Sequence, residues 1–305
     1  MRMNMPPQSM SGVGRRLVRR TFLQACTVLG ATLSIRSTGS RAADTTQQGR
    51  LKWLAFYGET SDEQELAVYD LVVLDPKFQG SLPQVGTNGA RLCGYLSLGE
   101  VRVADGLYAN ADPAVLIEEN PAWPGTFRID VRHPSWSKLV LDEIIPFIVG
   151  QGFTGLFLDT LDTPPYLEQL QPDAKRGMRQ AAIGLVQSIR DRYTDLFVII
   201  NRGYALLPDV VASVDAVVAE SLLTVADDRD SSGYRWNSPS EVDQVLSLLA
   251  PAAEGDARVP ILSLDYWDPE DTATITKIYA RQRELGHHPY VATRSLDRIV
   301  PEPGQ

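Results

Sequence analysis

From residue 51 onward, short apolar runs ending in polar residues alternate with longer stretches whose apolar positions recur at helical spacing. The runs are LKWLAFYGE (51–59), DLVVLDP (70–76), RLCGYLSLGE (91–100), GLFLD (155–159), LFVIINRG (196–203), AVVAES (216–221), VPILSLDYW (259–267) and HPYVATRS (288–295). Near-continuous apolarity over so few residues reads as strands buried on both faces, the habit of a parallel sheet covered by helices. Helical patterns fill 134–152, 175–193, 239–251 and 269–286; Pro stands near the start of three of them and Gly closes two. Eight strands separated by helices over about 250 residues predict a single-domain (β/α)8 TIM barrel. A doubly wound open sheet is the competing α/β answer, but FYGETSDEQE (56–65) lacks the glycine-rich phosphate loop expected after its first strand. Irregular insertions are expected at about 101–133 and 224–238.

In such a barrel the carboxyl ends of the strands form one rim, and chemistry belongs there. Around that rim the sequence places Tyr57 and Glu59, Asp75, Ser97 and Glu100, Asp159 and Asp162, Asn201 and Arg202, Glu220 and Ser221, Asp265 with Tyr266 and Trp267, and Arg294. A ring rich in carboxylates suits glycosidic hydrolysis, which needs one carboxylate at the anomeric carbon and one carboxylic acid to protonate the leaving oxygen. Asp159 follows GLFL and Glu220 follows AVVA, runs apolar enough to bury the base of a carboxyl group and adjust its pKa. These two are the expected catalytic pair. Tyr57, Asp75, Glu100, Asp162, Asn201, Asp265, Tyr266 and Trp267 are the expected substrate contacts. For some of them a structural role stands beside that reading: Asp162 as a helix cap, Asp75 and Asp265 in ion pairs with Arg202 or Arg294, Glu100 as a solvated loop residue.

Composition changes the picture at the amino terminus. Residues 1–43 hold seven arginines and no acidic residue, a short apolar core, ACTVLGATLSI (25–35), and a small-residue cleavage site, SRAAD (40–44). The twin arginine of RRTFLQ (19–24) predicts a Tat-type export signal, read by the Tat translocase, and a periplasmic or extracellular mature chain beginning near residue 44. An eleven-residue apolar run is shorter than the ~20 residues a membrane span needs. Cys26 stands at the start of that run instead of following it, which argues against a lipid anchor. Loss of the segment leaves 22 basic against 38 acidic residues, a net charge of −16, and Cys93 as the one cysteine. That charge excludes nucleic acid as an expected partner and favours a neutral or cationic ligand. No disulfide can form within the mature chain, so the fold must rest on its core.

Other chemistries find little support. Three histidines, two of them adjacent, do not make the usual metal pattern, and neither a nucleophile elbow nor a dinucleotide loop is present. No metal and no cofactor is therefore expected. The strings WLAFYG (53–58), YDLVVLDP (69–76), GYLSLGEV (94–101), GFTGLFLDTLD (152–162), INRGYALL (200–207) and VDAVVAESL (214–222) resemble glycoside hydrolase family 114, the endo-α-1,4-polygalactosaminidase family. The resemblance implies a (β/α)8 barrel, a retaining mechanism, cleavage of partly deacetylated α-1,4-linked galactosamine polymers, a nucleophile at Asp159 and an acid/base at Glu220. Thr154 stands where the family motif usually carries Asp, and VRVADGLY (101–108) replaces its usual Tyr-Arg segment; both changes bear on substrate subsites. A non-catalytic carbohydrate-binding barrel and a glycosidase for another α-linked glycan are the alternative readings.

Overall fold

A computed structural model of the protein describes residues 50–102, 104–227, 233–254 and 257–304. The export segment expected at 1–43 and its cleavage site lie outside these residues. Eight parallel strands form one sheet in sequential order: β1 (Trp53–Phe56), β2 (Leu71–Leu74), β3 (Arg91–Ser97), β4 (Gly155–Asp159), β5 (Phe197–Asn201), β6 (Ala216–Glu220), β7 (Ile261–Tyr266) and β8 (His288–Ala292). All eight coincide with the apolar runs. Their central residues are almost wholly buried because each strand packs inward on the barrel core and outward on helices. Between β8 and β1 the barrel closes through the Trp53 indole N–H, which donates to the His288 carbonyl at 2.8 Å, and the Tyr57 amide, which donates to the Leu296 carbonyl at 2.6 Å.

The four expected helices are present as Pro134–Gly150, Met178–Arg192, Pro239–Ala253 and Thr272–Glu284. The first contains a π-turn at Val140–Ile144, just before Pro146, a residue with no N–H to donate. Pro239–Ala253 begins with a capping box: the Ser238 hydroxyl accepts from the Glu241 amide and the Glu241 carboxylate accepts from the Ser238 amide. The first two crossovers carry only four-residue helices, Glu63–Leu66 and Leu82–Val85, too short to show a helical period in sequence.

Both insertions sit on the carboxyl-end rim. The first forms a three-stranded antiparallel sheet of Glu100–Arg102, Leu116–Glu119 and Thr126–Ile129, with Thr126–Ile129 in the middle. The second forms a hairpin of Thr224–Ala226 with Tyr234–Trp236, starting four residues after Glu220.

Candidate active site

Asp159, Asn201 and Glu220 are the last residues of three adjacent strands, β4, β5 and β6. The residue after each has a positive φ: Thr160 at 61°, Arg202 at 53° and Ser221 at 55°. None is glycine, so each turn costs about 1 kcal/mol of backbone strain, least tolerable for the β-branched Thr160. The neighbours hold these turns. The Arg202 amide donates to the Val218 carbonyl at 3.1 Å and the Ser221 amide to the Leu264 carbonyl at 2.7 Å. At Thr160 the side chain does this work: Oγ1 accepts from the amides of Gly99 and Glu100 at 2.7 and 3.2 Å. A Cβ on Gly99 would sit 2.3 Å from the Thr160 carbonyl oxygen, so only glycine permits this approach. Strain concentrated at three consecutive strand ends ends each strand abruptly and leaves its terminal side chain in the barrel mouth.

The middle residue joins the outer two. The Asn201 amide nitrogen donates to Asp159 Oδ1 at 2.9 Å and to Glu220 Oε2 at 2.7 Å. Its amide is oriented by this demand, since the reverse orientation would aim its carbonyl oxygen at two anions. Two bonds from one atom also limit the spacing of the carboxyl oxygens: their separation cannot exceed 5.6 Å, the sum of the two bonds. With the two N–H directions of a planar amide diverging by about 120°, it is about 5 Å.

Each carboxylate has its own tyrosine. Tyr95 Oη donates to Asp159 Oδ2 at 2.8 Å, and Tyr266 Oη donates to Glu220 Oε1 at 2.6 Å. Burial, and then the charges of the carboxylates, hold both phenols well above their ordinary pKa, so they remain neutral donors. Tyr57 lies edge-on to Tyr95 with ring centroids 4.9 Å apart. Burial first, and then the charge of Glu220, push Asp159 up to about 6. Asp159 is therefore ionised, as a nucleophile must be, only above about pH 6. Each carboxyl group thus has the same donors, one tyrosine and one bond from the shared amide.

The other expected contacts separate into two groups. Tyr57 and Asp75 face the same mouth, where Asp75 accepts from the Lys77 amide at 2.8 Å and burial raises its pKa. Asp162 stands at the head of the helix Thr163–Leu170 without capping it and pairs instead with Arg202 at 3.1 Å; both are about half exposed. Trp267 lies on the rim, its indole N–H donating to Asp271 Oδ2 at 3.1 Å. Asp265 and Glu100, by contrast, are not positioned to touch substrate. Strand alternation sends Tyr266 into the mouth and Asp265 outward, where it is wholly buried and accepts from the amides of Leu223 and Thr224, both at 2.8 Å, and from Gln282 Nε2 at 2.5 Å. Glu100 is buried beneath the first insertion, held by Asn120 Nδ2 at 2.9 Å and Thr163 Oγ1 at 2.8 Å. Neither Asp75 nor Asp265 takes the Arg202 ion pair; Asp162 does. Tyr95 is hidden in the sequence because it lies inside its apolar run. Its signal was parity, since Tyr95 precedes Ser97 by two residues and Ser97 registers with Asp159.

A model of glycoside-hydrolase family GH114 matches residues 35–305. The chain belongs to glycoside-hydrolase family GH114. Among solved structures, this GH114 barrel is similar to the glycoside hydrolase domain of PelA from Pseudomonas aeruginosa, with 30% identity and a TM-score of 0.70, over 83% of this chain and 99% of that one. The Aspergillus fumigatus Ega3 complex with galactosamine shares the fold at 12% identity and a TM-score of 0.60, over 84% of this chain and 97% of that one. An uncharacterized Deinococcus radiodurans protein is 27% identical over 265 residues, 81% of this chain and 80% of its own length. The protein is a glycoside hydrolase with a TIM-barrel fold. Among the described residues no helix is long and apolar enough to cross a membrane.

Proposed function

We propose that this GH114 member is an exported retaining glycosidase that cleaves, within the chain, a partly deacetylated α-1,4-linked galactosamine polymer. The observation that carries the mechanism is the single amide nitrogen shared by Asp159 and Glu220, which keeps Asp159 Oδ1 and Glu220 Oε2 within 5.6 Å of each other. Retaining enzymes hold their two carboxyl groups about 5–5.5 Å apart, whereas inverting enzymes leave roughly 6.5–9.5 Å for an intervening water. In the first step a carboxylate oxygen of Asp159 bonds to the anomeric carbon while the C–O bond to the leaving sugar breaks, and Glu220 delivers its proton to that oxygen. In the second, water attacks the same carbon, the bond to Asp159 breaks, and Glu220 takes the proton released by the water. Tyr95 and Asn201 stabilise the Asp159 anion before attack and as it departs.

The polymer is inferred from three supports: family membership, the galactosamine bound to the Ega3 barrel, and the net charge of −16 on residues 44–305, which suits a polycation. The Tat-type leader gives the route out of the cytoplasm, and replacing Arg19 and Arg20 with Lys is expected to retain the protein inside the cell. The deciding experiment is release of reducing ends from α-1,4-galactosamine oligomers, with NMR of the anomeric signal during the first turnovers. An α product supports retention; a β product assigns an inverting enzyme and removes Asp159 as nucleophile.

A further inference from the structure

Past the catalytic pair, aromatic side chains gather on one side of the mouth. The Trp267 ring lies 5.9 Å from that of Tyr234 and 6.0 Å from that of Trp236, centroid to centroid. Trp267 immediately follows Tyr266, the donor to Glu220, and the hairpin carrying Tyr234 and Trp236 begins four residues after Glu220 itself. Both halves of the cluster are thus direct continuations of the strands that supply the acid/base and its tyrosine.

The cluster is fixed from behind. Tyr234 and Trp236, two residues apart on one strand, share a face, and Trp236 registers with Thr224, whose amide is held by buried Asp265. Trp267 is anchored through its indole N–H to Asp271, at the head of the helix Thr272–Glu284, and the Tyr234 hydroxyl accepts from the Arg294 amide. Arg235, between the two aromatics, points the other way and pairs with Asp227 at 3.3 Å and Glu241 at 3.1 Å. Yet Trp236 remains 43% exposed. A rigid indole held partly open to water, beside a site that cleaves a sugar polymer, offers a flat apolar face matched to the C–H face of a pyranose. Asp268, exposed and next in sequence to Trp267, accepts from the Glu270 amide at 3.0 Å through Oδ1 and adds a carboxylate to the edge of the cluster.

We infer that Trp236, Trp267 and Tyr234 form a sugar-stacking subsite that binds a unit of the polymer beyond the two flanking the scissile bond, with Asp268 meeting the ammonium of a deacetylated sugar. This inference rests on the glycosidase reading and extends it to chain-length preference. In the purified protein, Trp236→Ala is expected to raise KM for galactosamine octamers about tenfold, with kcat within about twofold, and the defect should shrink as the oligomer shortens. Trp236→Tyr should recover most of the loss, and thermal unfolding should match the parent. Asp268→Asn should raise KM about threefold for galactosamine octamers and leave a fully N-acetylated octamer unaffected. An equal KM rise at every length, or none at the longest, overturns the subsite. Should the parent cleave no galactosamine oligomer, the proposed function fails first, and tryptophan fluorescence decides the subsite. A saturable change with galactosamine octamer or maltooctaose, abolished by Trp236→Ala, supports it; no change with either probe overturns it.

Discussion

Two sets of carboxylates occupy the same end of this barrel, and their surroundings differ in kind. Asp159 and Glu220 share one side-chain amide and are each touched by a tyrosine hydroxyl at the mouth. Asp265 and Glu100 are tied from behind to backbone amides, Gln282, Asn120 and Thr163, with the Gln282 carbonyl oxygen engaged in turn at 2.7 Å by His287 Nδ1. The first set repels itself across a small gap, which adds to burial in raising the Asp159 pKa. The second clamps loops: Asp265 fixes the segment after Glu220, and Glu100 fixes the head of the helix after Asp159. A buried carboxylate at a strand end is therefore assigned by its donors, and position along the strand alone cannot distinguish reagent from brace.

The largest test of this contrast removes the reagents. Asp159→Asn and Glu220→Gln should each lower kcat on galactosamine oligomers by about 10⁴ or more, while the urea midpoint stays within a few tenths molar of the parent. Retention of more than a hundredth of the rate in either variant would remove that residue from its role. Breaking the brace should do the opposite. Asp265→Ala leaves two amides and Gln282 without their buried acceptor and should cost about 3 kcal/mol of stability by urea unfolding, with activity lost through the displaced loop.

The pH dependence of that stability has a defined sign. Burial pushes Asp265 up to about 6, above its ordinary value, so the folded state binds its proton more tightly than the unfolded chain. Its contribution is complete below the unfolded pKa near 4 and is lost as pH rises through 6. Between pH 4 and 6 the parent should lose more stability with rising pH than Asp265→Asn does, by roughly 1 kcal/mol per pH unit. Equal slopes in the two proteins would show that Asp265 ionises as freely folded as unfolded.

Next in size is the link between the carboxylates. Asn201→Ala removes a donor from both, and kcat should fall about a hundredfold. With its anion less stabilised, Asp159 should need a higher pH to ionise, moving the acid limb of kcat/KM upward from about 6.

What the sequence made legible follows the same division. The eight strands showed as apolar runs because both faces of each are covered, and the rim showed because every run stops at a polar residue. Asp159, Glu220 and Asn201 were readable from that rule. Asp265 and Glu100 obey it equally well, and only the two-residue alternation separates Asp265 from Tyr266. Glu100 is buried by an insertion with no periodic pattern to announce it. The positive φ at Thr160, Arg202 and Ser221 left no trace, because these residues are neither Gly nor Asn and the neighbouring strands impose the conformation.

The smallest effect sharpens the comparison within the catalytic pair. Tyr95→Phe takes a donor from Asp159 and should move the acid limb of kcat/KM upward, because the nucleophile then needs higher pH to ionise. Tyr266→Phe takes a donor from Glu220 and should move the alkaline limb upward, because the acid then keeps its proton longer. Each shift is expected to be roughly 0.5–1 pH unit, the worth of one neutral hydrogen bond to a partly solvated anion. The pair is otherwise almost symmetric, with one tyrosine and one bond from the shared amide on each side. If both phenylalanine variants move the same limb, the two carboxyl groups do not hold separate roles. If they move opposite limbs, each tyrosine tunes its own carboxyl group, with Asp159 the nucleophile and Glu220 the acid.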